Sequence, residues 1–262
     1  MRFDSTPYYH VGELYPWETL VDEMREEVKV IDQGGFTGLW LAEHHFAWDG
    51  WYRAAPNPIL LGADLIKESS HLRLGQCGTI LPDWHPIRVA EDIALLDHFT
   101  DGRVDFGIAR GFNTRASAQF NIDGDRRNQK SNAEFFGETL DVIIKAWTEE
   151  PFQYSGKYYT FPVPGWQEPN SWVHDSRYHK TDGEMFAIGV PPKPVQKPHP
   201  PIYQMATSIR SHELAGRRGI STMCQTISKG KIKQVWDSYY NASFDARGER
   251  VLFGDGLAVM LA

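Results

Sequence analysis

The sequence predicts an α/β fold, a (β/α)8 barrel that is incomplete at its C-terminus and has about seven strands. Short apolar runs alternate with amphipathic stretches along the chain, which is typical of strands and helices in succession. The early apolar runs are each followed by a helical pattern, and strands joined in this way pair in parallel through right-handed crossovers. The predicted seven strands and six helices are one strand and two helices fewer than a closed eightfold barrel contains.

In the first half of the chain, four apolar runs predict strands and three amphipathic stretches predict helices. The spacing of Leu20, Met24 and Val28 places them on one helix face, and the glycine pair at 34–35 ends this helix. Pro82 ends the third strand, because proline cannot donate a backbone hydrogen bond. The strands are predicted over residues 1–5, 39–42, 72–81 and 104–109, and the helices over 17–31, 59–67 and 87–99.

The second half of the chain contains a long segment rich in proline and tryptophan. Nine of the sixteen prolines fall within residues 162–201, so this segment is too long and too rigid for a simple connection. We interpret it as an excursion over one face of the barrel and expect residues 1–262 to form a single domain. Strands are predicted over 202–206, 220–226 and 256–261, and helices over 133–148, from about 208, and over 232–242.

Composition and charge exclude several classes of protein. With 27 Lys+Arg against 34 Asp+Glu, the net charge is −7, which argues against a nucleic-acid partner. A hydrophobic content of 41% is that of a globular protein rather than a disordered chain. No run approaches the roughly 20 apolar residues that a membrane span needs, and the first residues do not resemble a signal peptide, so we expect no membrane association and a cytoplasmic location.

Three polar residues, Glu43, His44 and His45, directly follow the second predicted strand. In α/β barrels the carboxyl ends of the strands form the active face, so these residues are candidates for chemistry. Successive side chains of a regular strand point to opposite faces, so both histidines cannot reach one ligand. The sequence lacks a recognisable spacing of further ligands, and no metal site is predicted. The alternative is structural, with one histidine on the surface and the other in the core.

Two further candidates could bind an anion. Arg110 ends the fourth strand, and its guanidinium suits a phosphate, although a salt bridge with a neighbouring carboxylate is equally compatible with the pattern. Thr207, Ser208 and Ser211 cluster where the fifth strand turns into a helix, although N-capping alone accounts for one or two of them. The fourth and fifth strands are neighbours in a sequential barrel, so we expect Arg110 and this cluster to bind one phosphate together. The chain contains no GxGxxG, Walker A or GxSxG motif.

Three longer segments carry a family resemblance. They are GLWLAEHHF (38–46), LRLGQCGTILPDWHPIRVAEDIALLDHFTDGRVDFGIARG (72–111) and PVQKPHPPIYQMATS (194–208). Together they resemble the bacterial luciferase-like family of flavin-dependent monooxygenases. The resemblance implies a TIM-type barrel that binds reduced FMN at the carboxyl ends of its strands. It also implies a reaction with O₂ that oxygenates a small organic substrate of the aldehyde, ketone or hydrocarbon class.

The resemblance also implies roles for individual residues. His44 would be the acid/base residue near the position where oxygen adds to the flavin, with Glu43 and His45 supporting it. Cys77 and Gly78 would form a non-prolyl cis peptide beneath the flavin ring. The FMN phosphate would be bound by residues that carry a positive charge or a hydroxyl, namely Arg110, Lys130, Thr207, Ser208 and Ser211. Lys130 lies near a position at which relatives offer an arginine to the phosphate.

The sequence has no pyridine-nucleotide motif to reduce flavin in place, which favours a two-component arrangement. We therefore expect a separate flavin reductase, and an assembly of homo- or hetero-oligomers. Trp40, Trp51, Tyr203 and the excursion are candidate walls or lid of a dry pocket, with simple core packing as the alternative. Two other functions stay open. One is a non-catalytic flavin-binding or partner subunit, and the other is an oxidoreductase that uses the deazaflavin F420.

Overall fold

The computed structural model describes residues 4–5, 17–46, 55–226, 228–248, 251 and 256–260. The chain divides into two compact units. The first contains the described residues of Met1–Ile80, Arg103–Ala109 and Pro201–Ala262, and the second those of Leu81–Gly102 and Arg110–Pro200.

The described strands are β1 (Asp4–Ser5), β2 (Gly38–Leu41), β3 (Arg73–Gln76), β4 (Thr79–Ile80), β5 (Val104–Ala109), β6 (Tyr154–Ser155), β7 (Thr160–Phe161), β8 (Ile202–Met205), β9 (Ser221–Gln225) and β10 (Leu257–Met260). The described α-helices are α1 (Trp17–Gln33), α2 (Pro58–Leu65), α3 (Pro86–Phe99), α4 (Thr114–Phe120), α5 (Gln129–Thr148), α6 (Ile209–Arg218) and α7 (Lys229–Arg247).

The first unit is built on a parallel sheet. Its strands pair in the order β1-β2-β3-β5-β8-β9-β10, and the short β4 also pairs with β5. Every pairing in this sheet is parallel, as expected for strands that helices separate along the chain. The seven-strand path confirms the predicted number of strands and their order. Residues 1–3 and 261 of the predicted first and last strands lie outside the described residues.

The third predicted strand, residues 72–81, is not continuous. It is divided into β3 and β4 by Cys77 and Gly78, whose peptide bond is cis, as the family resemblance implies. A Cβ atom at position 78 would lie 2.8 Å from the carbonyl carbon of Ile108 in β5, so only glycine allows this approach of the two backbones. Continuous apolar character does not reveal such an interruption, because both segments remain buried.

Helix termini follow local capping chemistry. Asn57, Asn113, Asn128 and Ser208 each accept a hydrogen bond from a backbone amide in the first turn of the helix that follows. Proline stands in the first turn of α3, where its missing N–H costs nothing.

None of the described helices is long and apolar enough to cross a lipid bilayer. The short helix α4 was not predicted from the sequence, since its seven residues bury only Ala116 and Ser117 and so show little apolar periodicity.

One face of the sheet carries a buried ion pair. Residues two apart on a strand share a face, and Gly75 pairs with Asp105, so Arg73 and Asp105 lie on the same face of adjacent strands. The Arg73 guanidinium donates through Nε at 3.0 Å and Nη2 at 2.7 Å to the Asp105 carboxylate, and Nη2 also donates to the Val104 carbonyl oxygen at 2.8 Å. Asp105 is only 1% exposed, so this pair compensates a charge that would otherwise be costly to bury.

Helix α6 is attached to the sheet through a buried histidine. His212 Nδ1 lies 2.9 Å from the hydroxyl oxygen of Thr222 in β9, and Thr222 in turn donates to the carbonyl oxygen of Gly256 at 3.3 Å. Burial lowers the pKa of His212 from 6.5 to about 4, against the opposing effect of a backbone hydrogen bond with Ala206. The ring is therefore neutral in the folded protein at neutral pH.

The neutral His212 predicts a stability that falls in acid. Between pH 6.5 and about 4 the unfolded chain binds a proton at this position that the folded chain does not, so protonation favours unfolding. The contribution is complete above pH 6.5, and its loss on acidification to pH 4 reaches about 3 kcal/mol. Chemical denaturation at a series of pH values measures it, with His212→Gln as the comparison. Equal pH dependence of the two proteins would contradict the assignment.

The second unit packs helices against a proline-rich segment. Trp147 in α5 donates through Nε1 to the carbonyl oxygen of Ala90 in α3 at 2.8 Å, which joins the two long helices. The antiparallel pair β6 and β7, which the sequence did not predict, lies before the excursion. Glu138 in α5 accepts backbone hydrogen bonds from Lys157, Tyr158 and Tyr159, so one carboxylate holds this hairpin to the helix.

The excursion over residues 162–201 has little regular structure of its own. Isolated antiparallel bridges join Gln167 to Glu184 and His179 to Met185. Asp97, buried in α3, accepts hydrogen bonds from the backbone and the side chain of Gln196 at 2.9 and 2.7 Å. Trp166 and Trp172 are exposed. That the whole chain forms a single domain stays a prediction.

Candidate active site

The carboxyl end of β2 carries an ordered carboxylate and histidine. Glu43 is buried, and its Oε1 lies 2.8 Å from Nε2 of His45. A carboxylate can only accept, so His45 donates through Nε2. The other oxygen of Glu43 accepts a hydrogen bond from the backbone amide of Ile80 in β4 at 3.0 Å. Glu43 therefore fixes the His45 ring and joins the end of β2 to β4.

His44 differs from its neighbour in exposure. Its side chain is solvent-exposed, while its backbone amide donates to the carbonyl oxygen of Ala55 at 3.3 Å. Partial desolvation lowers the pKa of His44 below its ordinary value, the Glu43 carboxylate opposes this effect, and His45 adds to it. At neutral pH this imidazole is unprotonated and accessible, and it can take up a proton. The division of roles, with His44 reactive and Glu43 and His45 supporting, stays a prediction.

Two buried polar side chains flank the cis peptide between Cys77 and Gly78. The amide nitrogen and oxygen of Gln76 and the hydroxyl of Thr79 are buried, and among the described residues they have no hydrogen-bond partner. Buried polar groups are ordinarily satisfied, so hydrogen-bonding capacity remains at the segment that the resemblance places beneath the flavin. Neither residue stands out in the sequence, because a lone Gln or a lone Thr in an apolar strand is not a motif. Burial raises the pKa of the Cys77 thiol to about 12, so the thiol is protonated at neutral pH.

The hydroxyl cluster at the start of α6 is mainly a helix cap. Ser208 is the N-cap residue, and its Oγ accepts from the backbone amide of Ser211 at 3.2 Å and lies 2.9 Å from the Ser211 hydroxyl. Thr207 and Ser208 are exposed, and Ser211 is half-buried. Capping thus accounts for Ser208 and Ser211. Their hydroxyls and the helix N-terminus retain the chemistry of an anion site, and that role stays a prediction.

Arg110 lies in the second unit and is held by amide groups. Its Nε donates to Oδ1 of Asn132 at 3.0 Å, and its Nη2 donates to the backbone oxygen of Gln129 at 2.9 Å. Asn132 is buried in α5, and its Nδ2 donates back to the carbonyl oxygen of Arg110 at 3.2 Å. These contacts position the guanidinium at the N-terminus of α5. A guanidinium together with the backbone amides of a helix N-terminus is a set of donors that suits a phosphate.

A second arginine, Arg126, reaches the same acceptors as Arg110. Its Nη1 donates to Oε1 of Gln129 at 2.9 Å and to Oδ1 of Asn132 at 3.3 Å. Arg126 does not stand out in the sequence, because it follows a run of Gly and Asp with no strand or helix pattern. The predicted Lys130 is 88% exposed and lies 3.9 Å from Glu134. Its role at a phosphate stays a prediction.

Two of the aromatic candidates, the buried Trp40 and the half-buried Tyr203, pack together in the first unit. Trp40 is buried, forms a T-shaped contact with Tyr203 at 5.2 Å between ring centroids, and donates through Nε1 to Asp4 at 3.0 Å. A Cβ atom on Gly75 would lie 2.3 Å from the Trp40 ring, so the indole lies flat across β3. Trp51 lies outside the described residues.

The sequence has many relatives among known enzymes. The profile of the luciferase-like monooxygenase family matches residues 2–261. The oxygenase component of a flavin-dependent trigonelline monooxygenase from Acinetobacter baylyi is 31% identical over 237 residues, which are 88% of this chain and 56% of that protein. An alkanal monooxygenase alpha chain from the Kryptophanaron alfredi symbiont is 27% identical over 79% of this chain and 49% of its own length. The chain thus spans about half the length of the curated relatives it matches.

Solved structures share the fold. The oxygenating constituent of 3,6-diketocamphane monooxygenase from Pseudomonas putida, a type II Baeyer–Villiger monooxygenase in complex with FMN, superposes with a TM-score of 0.77 at 21% identity. The match covers 99% of this chain and 66% of that one. The likeness confirms the predicted α/β barrel class, and the family profile covers nearly the whole sequence. The chain is a member of the luciferase-like monooxygenase family.

Proposed function

We propose that this chain is the oxygenase of a two-component flavin monooxygenase, which uses reduced FMN and O₂ to oxygenate a small organic substrate. The observation that carries the proposal is His44, an accessible imidazole that is unprotonated at neutral pH and stands beside the fixed Glu43–His45 pair. The name of the Acinetobacter baylyi relative, an oxygenase component, supports a separate reductase as partner. The substrate is proposed only as a class: an aldehyde, a ketone or a hydrocarbon.

Each side chain has a separate task in this proposal. His44 takes up or delivers a proton at its accessible ring nitrogens, and its lowered pKa keeps it available as a base at neutral pH. Glu43 holds His45 through Oε1 and β4 through Oε2, so the backbone on either side of His44 is fixed. Fixing that backbone limits the positions the imidazole samples, which is the requirement for proton transfer over hydrogen-bond distance.

Each unit, taken by itself, contains residues whose chemistry suits one end of an FMN cofactor. Arg110 would hold the phosphate, and we propose that Thr207, Ser208, Ser211 and Lys130 assist it. Cys77 and Gly78 would lie beneath the ring, where Gln76 and Thr79 retain unused polar atoms. When bound and reduced, FMN supplies the electrons that activate O₂.

Flavin binding and turnover test the proposal directly. The protein is titrated anaerobically with FMN and with reduced FMN, and then mixed with O₂ and a panel of aldehydes and ketones. Binding of reduced FMN with formation of oxygenated product is the expected result. Binding of flavin with no product from any substrate would favour a flavin-binding subunit. Hydride transfer with F420 and no binding of FMN would identify the deazaflavin alternative, and binding of neither would overturn the proposal.

A further inference from the structure

Two guanidinium groups converge on the same neutral acceptors near the N-terminus of α5. Oδ1 of Asn132 accepts from Arg110 Nε at 3.0 Å and from Arg126 Nη1 at 3.3 Å. Oε1 of Gln129 accepts from Arg126 Nη1 at 2.9 Å and from Arg110 Nη2 at 3.4 Å. Each amide nitrogen donates to backbone oxygen, Asn132 to Gly124 at 2.7 Å and Gln129 to Arg126 at 2.7 Å. The amides are thereby oriented with their oxygens toward the two cations.

Among the described residues, no carboxylate pairs with Arg126. Within the part of the chain that the structure describes, its guanidinium donates only to the two amide oxygens, and its Nε is buried with no hydrogen-bond partner. Burial lowers the pKa of Arg126, and no acidic group opposes the effect. A half-buried cation with a buried and unused donor is unfavourable unless an anion completes it.

The neighbouring cations are arranged differently. Arg127 forms an ion pair with Asp125 at 2.5 Å, and it also donates through Nε to the same carboxylate at 2.8 Å. Lys130 extends into solvent toward Glu134. Of these three neighbouring candidates for anion binding, Arg126 alone combines partial burial, neutral acceptors and an unused donor. Arg127 therefore offers a control that differs from Arg126 by one position and by its carboxylate partner.

We propose that Arg126 is a second phosphate-binding residue beside Arg110, and that the pair selects a terminal phosphate monoester. The inference rests on the proposed function and deepens it. A monoester carries close to two negative charges at neutral pH and three acceptor oxygens, which match two guanidinium groups. The phosphate of F420 is a diester with one negative charge, and riboflavin has no phosphate. Arg126 therefore favours FMN over both.

Paired flavin titrations test the role of Arg126 without any turnover. Dissociation constants for FMN and riboflavin are measured by fluorescence quenching at fixed ionic strength, for the wild type, Arg126→Ala, Arg126→Lys and Arg127→Ala. Arg126→Ala is expected to weaken FMN binding about 10- to 100-fold and to leave riboflavin binding unchanged. Arg126→Lys should recover part of the loss, and Arg127→Ala should bind both flavins as the wild type does.

Three results would overturn the inference. The first is wild-type affinity of Arg126→Ala for FMN, and the second is an equal loss of FMN and riboflavin binding, which would mean that Arg126 shapes the protein rather than binds phosphate. The third result concerns the anion site alone. If the wild type binds neither flavin, the proposed function fails, and the anion site is tested with inorganic phosphate at an ionic strength matched with chloride. A phosphate-induced rise in Tm that Arg126→Ala lacks and Arg127→Ala keeps would sustain the anion site, and equal rises in all variants would remove it.

Discussion

His44→Ala is expected to lower the yield of oxygenated product about 100-fold or more while leaving the dissociation constant for FMN close to that of the wild type. The reason is that a positioned acid/base group contributes roughly 100- to 10,000-fold to rate, whereas the phosphate end of the cofactor does not involve this residue. Product formed per reduced FMN supplied measures the first quantity, and fluorescence quenching measures the second. The pH dependence adds a second readout. The pKa of His44 is lowered, so the acid limb of the wild-type profile should lie below pH 6.5 and be absent from the variant.

A matched control separates this effect from a general loss of histidine. His174 is also exposed, and its Nε2 lies 3.0 Å from the carbonyl oxygen of Glu168 in the second unit. His174→Ala should therefore retain the wild-type product yield. His45→Gln should give an intermediate result, because its side chain supports Glu43 and does not itself exchange the proton. Full product yield from His44→Ala would show that the acid/base assignment is wrong.

Asp105→Ala is expected to lower the free energy of unfolding by about 3–5 kcal/mol, since it leaves the Arg73 guanidinium without its buried counter-charge. That is a large share of the 5–15 kcal/mol by which a typical domain is stable. Urea or guanidinium denaturation measures the change. The double variant Arg73→Met with Asp105→Leu should recover most of the loss, because apolar side chains of similar volume carry no charge to desolvate.

An exposed ion pair provides the comparison for Asp105. Lys233 and Asp237 lie 2.5 Å apart in α7 with both side chains at least half exposed. Asp237→Ala should therefore change the free energy of unfolding by less than about 1 kcal/mol. If Asp105→Ala lowers the free energy of unfolding by no more than Asp237→Ala does, the pair of Arg73 and Asp105 does not stabilise the sheet as its geometry implies.

Most of the sheet could be predicted because its signals are local. The apolar runs that became β2, β5, β8 and β9 are short, bounded by Gly or polar residues, and separated by helical periodicity, so each is visible in a window of about ten residues. The predicted helix over 133–148 is α5, which begins four residues earlier at Gln129 because Asn128 provides the cap. Capping depends on the backbone geometry that precedes the helix as well as on residue type, which is why helix boundaries are less predictable than helix existence.

Parts of the candidate site were visible in the sequence and parts were not. The position of Glu43, His44 and His45 after a strand was enough to single them out. The structure shows in addition that Glu43 is held by the backbone amide of Ile80, 37 positions away, and pairs with the half-buried His45, while His44 is exposed. Whether one phosphate uses Arg110 together with Ser208 and Ser211 stays a prediction. FMN affinity is measured for Arg110→Ala, Ser208→Ala and the double variant. If both residues bind the same phosphate, the loss of binding free energy in the double variant should differ from the sum of the two single losses.

The sequence by itself determined the parallel α/β architecture, the strand ends that carry polar residues, and the family to which the chain belongs. Tertiary structure decided which cations are neutralised. Arg126 and Arg127 are adjacent and chemically identical, yet one meets amide oxygens from α5 and the other meets Asp125. A residue's charge is a property of its type, whereas the free energy of that charge depends on burial and on partners brought together by folding, so only the folded chain distinguishes the two arginines.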